Sequence, residues 1–302
     1  MTPAAADSGL RIGPAADRAA RRLLAAGGLI ALAFGPTGAV RATEQLRVVR
    51  LEDRVDDVAF DSEVLGREVR FVVVHPVAND DHRPVLFVLH GRGRHRRSLL
   101  ELPDTKAALL AANLWIVLPD GEDGWYLNSP ANRKDRYSDH LADVIRVATA
   151  QYNLRTDVAG RAIAGWSMGG YGAVRFAQVN PNTFGTIASL LGLLDFPRPE
   201  TLPAGRNYTV PLARFGADPE RWKALNPLHA VASLRGKSIL ILTADDAFDR
   251  VMNENFSKAL DAAGVRHDFR MLPGGHSLDV VRSALPLVLS FVQQSTLSAP
   301  AP

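Results

Sequence analysis

One pentapeptide, 165–169 (Gly-Trp-Ser-Met-Gly), combines a hydroxyl nucleophile with two flanking glycines. The apolar residues 161–164 before it predict a short buried strand, and apolar residues at helical spacing in 170–178 predict a helix after it. A serine on such a tight strand-to-helix turn is held in a strained conformation with its hydroxyl exposed. The pattern therefore indicates nucleophilic acyl transfer by Ser167, and an ordinary serine in a glycine-rich turn is the alternative.

A serine hydroxyl is a weak nucleophile, so it needs a base within hydrogen-bond reach and a third group that orients the base. In a strand–serine–helix architecture the chain order is serine, acid, histidine. His276 follows Pro273-Gly274-Gly275, a turn that can place an imidazole over the sheet edge after the last strand. His229 and His267 are the alternatives, but their positions in an irregular insertion and just before a strand favour surface roles.

The acid is expected after the next-to-last strand, predicted at 238–243. Asp246 is the first choice because it lies a short turn beyond the strand end. Asp245 is the second choice. Asp249 is interpreted instead as the N-cap of a helix that begins at Arg250.

The oxyanion of an acyl-transfer reaction needs fixed N–H donors. The backbone N–H of Met168, at the start of its helix, is one candidate, and that of Arg92, in the turn after the strand at 84–90, is the other. The basic run at 92–97 is interpreted as a solvated helix entrance, and attraction for an acidic or phosphorylated substrate is the second interpretation.

Aromatic residues near these predicted strand ends are candidates for the substrate pocket. Trp125 and Tyr126 follow a strand end, so they line the acyl or alcohol pocket or serve as packing residues. Trp166, beside the nucleophile, is the third pocket candidate. The acidic residues at 120–123 lack the spacing of metal ligands, so we expect no metal and no organic cofactor.

Strand-like and helix-like segments alternate along the chain, which predicts an α/β fold with a mostly parallel sheet covered by helices on both faces. Runs such as 85–89 are apolar throughout, as expected of strands buried on both sides. Early residues such as 48–51 predict antiparallel edge strands. Strands are predicted at 69–75, 84–90, 114–118, 161–166, 186–191, 238–243 and 269–272, and helices at 98–112, 138–151, 168–179, 251–263 and 277–294.

The chain of 302 residues is long enough for one large domain, and its 47% hydrophobic and 22% charged residues are ordinary for a globular protein. We therefore predict a single α/β domain over 43–302. Six prolines interrupt the pattern at about 192–236, which predicts a short cap-like insertion or a surface excursion. The absence of cysteine excludes disulfides, thiolate metal sites and a cysteine nucleophile.

Residues 1–42 contain five Arg and two Asp, which accounts for the whole net charge of +3. The remainder is near neutral, so we expect no nucleic-acid partner. Arg18, Arg21 and Arg22 directly precede an uncharged apolar stretch at 23–34, which is too short for a stable membrane anchor. This arrangement predicts an export signal, with Arg21-Arg22 resembling a twin-arginine motif, and a periplasmic or extracellular location without a membrane span after signal removal.

The segment 165–173 resembles the nucleophile region of the putative esterase family of α/β-hydrolases, which includes esterase D-like S-formylglutathione hydrolases, feruloyl esterases and antigen 85-type mycolyltransferases. Trp166 and the Asp245-Asp246 pair depart from that pattern. The resemblance covers about 65–294, and it implies Ser167, Asp246 and His276 as the triad with the N–H groups of Arg92 and Met168 as the oxyanion hole. It extends to Leu89-His90-Gly91, Pro119-Asp120-Gly121, Trp125-Tyr126, 215–218, 226–228 and 272–276.

We therefore expect an exported serine esterase that uses a Ser-His-Asp triad and acts on a small or polymer-linked ester. An acyltransferase of the mycolyltransferase type and an S-formylglutathione hydrolase-like thioesterase are alternatives with the same triad. A non-catalytic binding protein that kept the fold is a third.

Overall fold

A computed structural model describes residues 46–77, 83–202 and 207–297. The export signal predicted at 1–42 lies outside the described residues.

A nine-stranded sheet forms the centre of the described chain, in the order β1-β2-β3-β5-β4-β6-β7-β8-β9. The pairs β1–β2, β2–β3 and β3–β5 are antiparallel. The other six strands, β5, β4, β6, β7, β8 and β9 in sheet order, run parallel to one another. The strands are β1 (Arg47–Glu52), β2 (Val55–Ser62), β3 (Arg67–Val74), β4 (Val85–Leu89), β5 (Trp115–Pro119), β6 (Arg161–Trp166), β7 (Thr186–Leu190), β8 (Ser238–Ala244) and β9 (Asp268–Leu272).

The parallel strands β4 to β7 are buried along their whole length, which explains their continuous apolar runs. The carboxyl ends of parallel strands meet at one edge of a sheet, which is where ligands bind in open α/β folds. Loops that follow β4, β6, β8 and β9 therefore converge at the same edge.

Helices cover both faces of the sheet. The helices are α1 (Pro103–Ala111), α2 (Tyr137–Tyr152), α3 (Met168–Val179), α4 (Leu212–Phe215), α5 (Pro219–Leu225), α6 (Arg250–Ala262) and α7 (Leu278–Leu297). Residues of α2, α3 and α6 belong to one hydrophobic core, and residues of α1 and α7 belong to a second. The apolar faces of the helices thus bury the two faces of the sheet, and the predicted α/β class is confirmed.

The segment predicted as an insertion contains α4, α5 and a 3₁₀ helix (Pro227–Leu234). Three side chains of α3 donate to backbone carbonyl oxygens of this segment: Tyr171 to Leu225 at 2.8 Å, Arg175 to Ala224 at 2.6 Å and Gln178 to Pro227 at 2.8 Å. The part of this segment around 224–227 therefore packs on the helix that begins beside Ser167.

Candidate active site

Ser167 lies between the end of β6 and the first residue of α3, with φ 55° and ψ −120°. A positive φ is rare for a residue with a side chain and marks local strain. The Ser167 N–H donates to the Leu190 carbonyl oxygen at 2.9 Å, so the neighbouring strand β7 holds the turn in place. The side chain stays partly exposed, as the sequence predicts.

The two glycines of the pentapeptide have no room for a side chain. A Cβ on Gly165 would lie 2.3 Å from the Gly169 carbonyl oxygen, and a Cβ on Gly169 would lie 2.1 Å from the Leu89 carbonyl oxygen. Real Cβ atoms do not approach a backbone oxygen this closely, so the sharp turn requires glycine at both positions.

His276 reaches Ser167 from the loop between β9 and α7. His276 Nε2 lies 2.8 Å from Ser167 Oγ, a hydrogen-bonding distance. Gly274, two residues earlier, has φ +115°, a conformation that only glycine adopts readily. The alternative histidines are elsewhere: His267 Nε2 contacts Ser257 Oγ at 2.6 Å, and His229 lines a different cavity with Asp195.

The carboxylate that binds His276 belongs to Asp249. Its Oδ1 lies 2.6 Å from His276 Nδ1, and its side chain is fully buried. Its second oxygen accepts hydrogen bonds from Thr243 Oγ1 at 2.9 Å and from Asn253 Nδ2 at 2.8 Å. Both oxygens therefore have partners, as a buried carboxylate requires.

The prediction that Asp246 contacts the imidazole is wrong. The Asp245 N–H donates to the Leu272 carbonyl oxygen and the Asp246 N–H donates to the Gly274 carbonyl oxygen, both at 2.9 Å. The backbone of these two residues therefore still pairs with the end of β9 and the loop that follows it. Both of these aspartates have exposed side chains, whereas Asp249 is buried where the chain turns back. Asp245 Oδ1 instead accepts from the Gly274 N–H at 2.9 Å, which ties down the loop that carries His276.

Asp249 does precede α6, but its side chain makes no capping hydrogen bond there. A signal for its inward position was present in the sequence. Asn253 lies on the otherwise apolar buried face of α6, with Met252, Phe256 and Leu260. A polar residue on a buried face needs a buried partner, and the residue one turn earlier on the same face is Asp249.

The two proposed oxyanion donors flank the nucleophile. Met168 is the first residue of α3, where helix N–H groups lack intrahelical acceptors. Arg92 follows His90 and Gly91 at the end of β4, and a Cβ on Gly91 would lie 2.6 Å from Trp166 Nε1. The loop that carries Arg92 is thus packed against the residue that precedes Ser167.

Buried polar contacts hold this loop in place. The His90 N–H donates to the Tyr126 hydroxyl at 3.0 Å, and the Gly121 N–H donates to His90 Nε2 at 2.9 Å. Burial would raise the pKa of Asp120, but the neighbouring His90 ring and the Arg96 guanidinium lower it to about 2. Asp120 is therefore ionised at neutral pH and binds Arg96, near the end of the basic run.

The side chain of Arg92 binds two residues from other segments of the chain. Its guanidinium donates to both carboxylate oxygens of Asp123, at 3.0 and 3.2 Å, and to the Tyr208 hydroxyl at 2.7 Å. These two partners raise the pKa of Arg92 above its usual value. Arg92 therefore joins the β4 loop to the segment that contains Tyr208.

Of the three aromatic pocket candidates, only Trp166 lines the cavity at Ser167. Trp125 and Tyr126 are each about 1% exposed. The Trp125 ring packs against Tyr171 and Phe215, and burial raises the pKa of the Tyr126 hydroxyl well above its usual value. These two residues have the packing role that the sequence left open.

A cavity of about 150 Å³ opens beside the nucleophile. Ser167 and His276 lie on its wall, so a group held in the cavity is in reach of both. The apolar part of the wall consists of Trp166, Leu191, Leu278 and Val281.

The fold is that of an α/β-hydrolase: a mostly parallel sheet has helices on both faces, and a serine lies on the turn after β6. The family model described as "Putative esterase" matches residues 62–289, and the chain belongs to this family. The resemblance seen in the sequence is thereby confirmed.

Curated proteins are similar to this chain in sequence, and solved structures are similar to it in fold. Esterase Rv1288 of Mycobacterium tuberculosis is 28% identical in an alignment of 274 positions that covers 76% of this chain and 58% of that protein. The chain thus spans little more than half the length of this curated relative. A ferulic acid esterase has the same fold, with a TM-score of 0.66, 24% identity and coverage of 83% of this chain and 99% of that one. Fluorophosphonate-binding serine hydrolase F of Staphylococcus aureus aligns with a TM-score of 0.67, 20% identity and coverage of 79% and 97%.

No helix within the described ranges is long and apolar enough to cross a membrane.

Proposed function

We propose that this protein is a serine carboxylesterase that hydrolyses esters through Ser167, His276 and Asp249. The observation that carries the proposal is the continuous set of contacts from Ser167 Oγ to His276 Nε2 at 2.8 Å and from His276 Nδ1 to Asp249 Oδ1 at 2.6 Å. The strained turn at Ser167 and the membership of the esterase family support it.

In the first half of the reaction, Ser167 Oγ attacks the ester carbonyl carbon while His276 Nε2 takes the hydroxyl proton. Asp249 accepts a hydrogen bond from Nδ1–H, which leaves the lone pair of Nε2 free to act as base and stabilises the imidazolium that forms. When the tetrahedral intermediate collapses, the bond to the alcohol oxygen breaks. His276 returns its proton to that oxygen, and the acyl group stays on Ser167.

In the second half, a water molecule attacks the acyl-enzyme. His276 takes one proton from the water and then gives it to Ser167 Oγ as the carboxylic acid leaves. The sum of both halves is ester plus water to acid plus alcohol, with the enzyme regenerated.

The negative charge on the carbonyl oxygen needs donors that are fixed before the reaction. We assign this role to the backbone N–H groups of Arg92 and Met168. The packing of Gly91 against Trp166 and the anchoring of His90 by Tyr126 support the assignment, because they restrict the movement of the β4 loop.

Hydrolysis of p-nitrophenyl esters of increasing acyl length tests the proposal, with Ser167→Ala as the control. We expect turnover by the wild-type protein and a loss of at least about 10³-fold in the variant. The small cavity at Ser167 favours short acyl chains. Equal rates for the folded variant and the wild type would contradict the assignment of the nucleophile.

The N-terminal segment supports a second part of the proposal, export from the cytoplasm. Its charged and apolar residues have the order of a signal peptide. Fractionation of cells and N-terminal sequencing of the exported protein test this, and the expected mature protein begins near residue 43. An uncleaved protein confined to the cytoplasm would contradict it.

A further inference from the structure

The wall of the cavity at Ser167 contains two arginines, Arg92 and Arg94, and no aspartate or glutamate among the described residues. The two arginines differ in their partners. The guanidinium of Arg92 is bound by Asp123 and Tyr208, so its charge is compensated.

Among the described residues Arg94 has no such partner. No carboxylate within the described part of the chain lies at ion-pairing distance from it, and its side chain is exposed. A third arginine of the same run, Arg96, is bound by both Asp57 and Asp120. Local carboxylates thus neutralise Arg92 and Arg96 and leave the positive charge of Arg94 uncompensated on the wall of the cavity.

We propose that Arg94 binds a carboxylate of the substrate, so that the protein prefers esters that carry a carboxylate close to the scissile bond. This inference rests on the proposed esterase function. An arginine fork binds a carboxylate through two parallel hydrogen bonds, which gives both affinity and orientation. Because Arg94 is exposed, water and salt screen this pair in part, so the expected gain is modest.

The size and the other walls of the cavity limit the substrate further. The cavity has a volume of about 150 Å³, so only a small group fits within it. Leu191, Leu278 and Val281 supply apolar contacts for a few methylene groups. The substrate class that fits is a short ester with an apolar spacer between the ester carbonyl and the carboxylate, or with the carboxylate on a small alcohol.

Two pairs of matched esters test the inference on the full chain. Monomethyl glutarate and its neutral amide analogue, methyl 5-amino-5-oxopentanoate, place the carboxylate on the acyl side. O-acetylglycolate and O-acetylglycolamide place it on the alcohol side. Within each pair the two esters have the same shape, so the ratio of kcat/KM for the anionic ester to that for the amide reports recognition of charge.

We expect this ratio to be on the order of ten in at least one pair, because a hydrogen bond between charged groups contributes about that factor. Arg94→Gln lowers the ratio towards one, and about 1 M NaCl does the same by screening. Arg97→Gln is the matched control because Arg97 belongs to the same exposed run and does not line the cavity. This control keeps the wild-type ratio.

Each other outcome overturns the inference. A ratio near one in both pairs, or a high ratio that Arg94→Gln does not change, excludes recognition by Arg94. Labelling of the same preparations with a fluorophosphonate separates this failure from a failure of the proposed function. If Ser167 is labelled and the amide esters are hydrolysed, the esterase function stands and the charge preference fails. If there is neither labelling nor turnover, both fail.

Discussion

Phe248 stacks on the imidazole of His276, with 4.3 Å between the ring centroids and 29° between the ring planes. The next residue, Asp249, binds the edge of the same imidazole. The opposite neighbour of Phe248 is Tyr208, stacked at 5.4 Å, whose hydroxyl accepts from Arg92. Phe248 and Asp249 therefore fix the face and the edge of the His276 ring. The contacts from Phe248 through Tyr208 to Arg92 join this ring to the proposed oxyanion loop.

Replacement of Asp249 by asparagine is expected to reduce kcat by roughly 10²–10⁴-fold, as the loss of the acid does in other triads. The amide at this position no longer fixes the tautomer of His276. Asp246→Asn, which changes an exposed side chain three residues earlier, is expected to stay within a few-fold of the wild type. Kinetics with a p-nitrophenyl ester measure both, and a larger effect at Asp246 would contradict the geometry.

Thr243→Val is expected to lower kcat by roughly tenfold with little change in KM, because Asp249 loses one of its two donors to Oδ2. The variant keeps the shape of the side chain and removes only the hydroxyl. Thr243→Ser keeps the hydroxyl and is expected to retain most of the activity. If valine and serine have the same effect, the hydrogen bond to Asp249 does not position the carboxylate.

Gly169→Ala is expected to lower the free energy of unfolding by about 3 kcal/mol or more, because its Cβ would meet the Leu89 carbonyl oxygen at 2.1 Å. Gly275→Ala is the control, since the nearest atom to its Cβ would be the Asp246 carbonyl oxygen at 3.9 Å. Urea unfolding of both variants measures the difference. Equal stabilities would show that the turn relaxes to accept a side chain.

Asp120 makes stability depend on pH in the acid range. Its pKa of about 2 in the folded protein lies below its ordinary value of 3.8, so its ionised form stabilises the fold by at most ~2 kcal/mol. This contribution is complete above pH 4 and is lost as the pH falls towards 2. We expect Asp120→Asn to lower the free energy of unfolding more at pH 6 than at pH 3. An equal loss at both pH values would show that the carboxylate charge contributes nothing.

The parallel strands are predicted well from the sequence because burial on both faces leaves a continuous apolar run, as in β4. The strand β2 gives no such signal. Its residues Asp56 and Asp57 are buried and interrupt the apolar pattern. They are stabilised by partners far away in the sequence, His75 for Asp56 and Arg96 for Asp57, which no local pattern reveals.

The first helix shows how a proline sets a boundary. The sequence predicts a helix over 98–112, whereas α1 spans Pro103–Ala111. Proline is favoured in the first turn of a helix, where its missing N–H costs no hydrogen bond. The residues before it form turns instead, and the Thr105 hydroxyl donates to the Leu99 carbonyl oxygen across them.

At the site, the positions of Ser167 and His276 follow from glycine-rich turns, which are local features. The position of Asp249 depends on the path of the whole segment after β8, including backbone hydrogen bonds to the loop after β9. A choice among three nearby aspartates therefore needed the tertiary structure. The same holds for Trp125 and Tyr126, whose burial depends on packing against α3 and the segment around Phe215.

The most direct test of the account is the mass of the protein after brief reaction with a p-nitrophenyl ester, followed by peptide mapping. We predict an increase equal to one acyl group, located on Ser167, and no such increase in Ser167→Ala. We expect the adduct to persist longer in Asp249→Asn, because His276 then activates the deacylating water less well. Turnover of the ester by folded Ser167→Ala, or an acyl group on another residue, would contradict the assignment of Ser167 as the nucleophile.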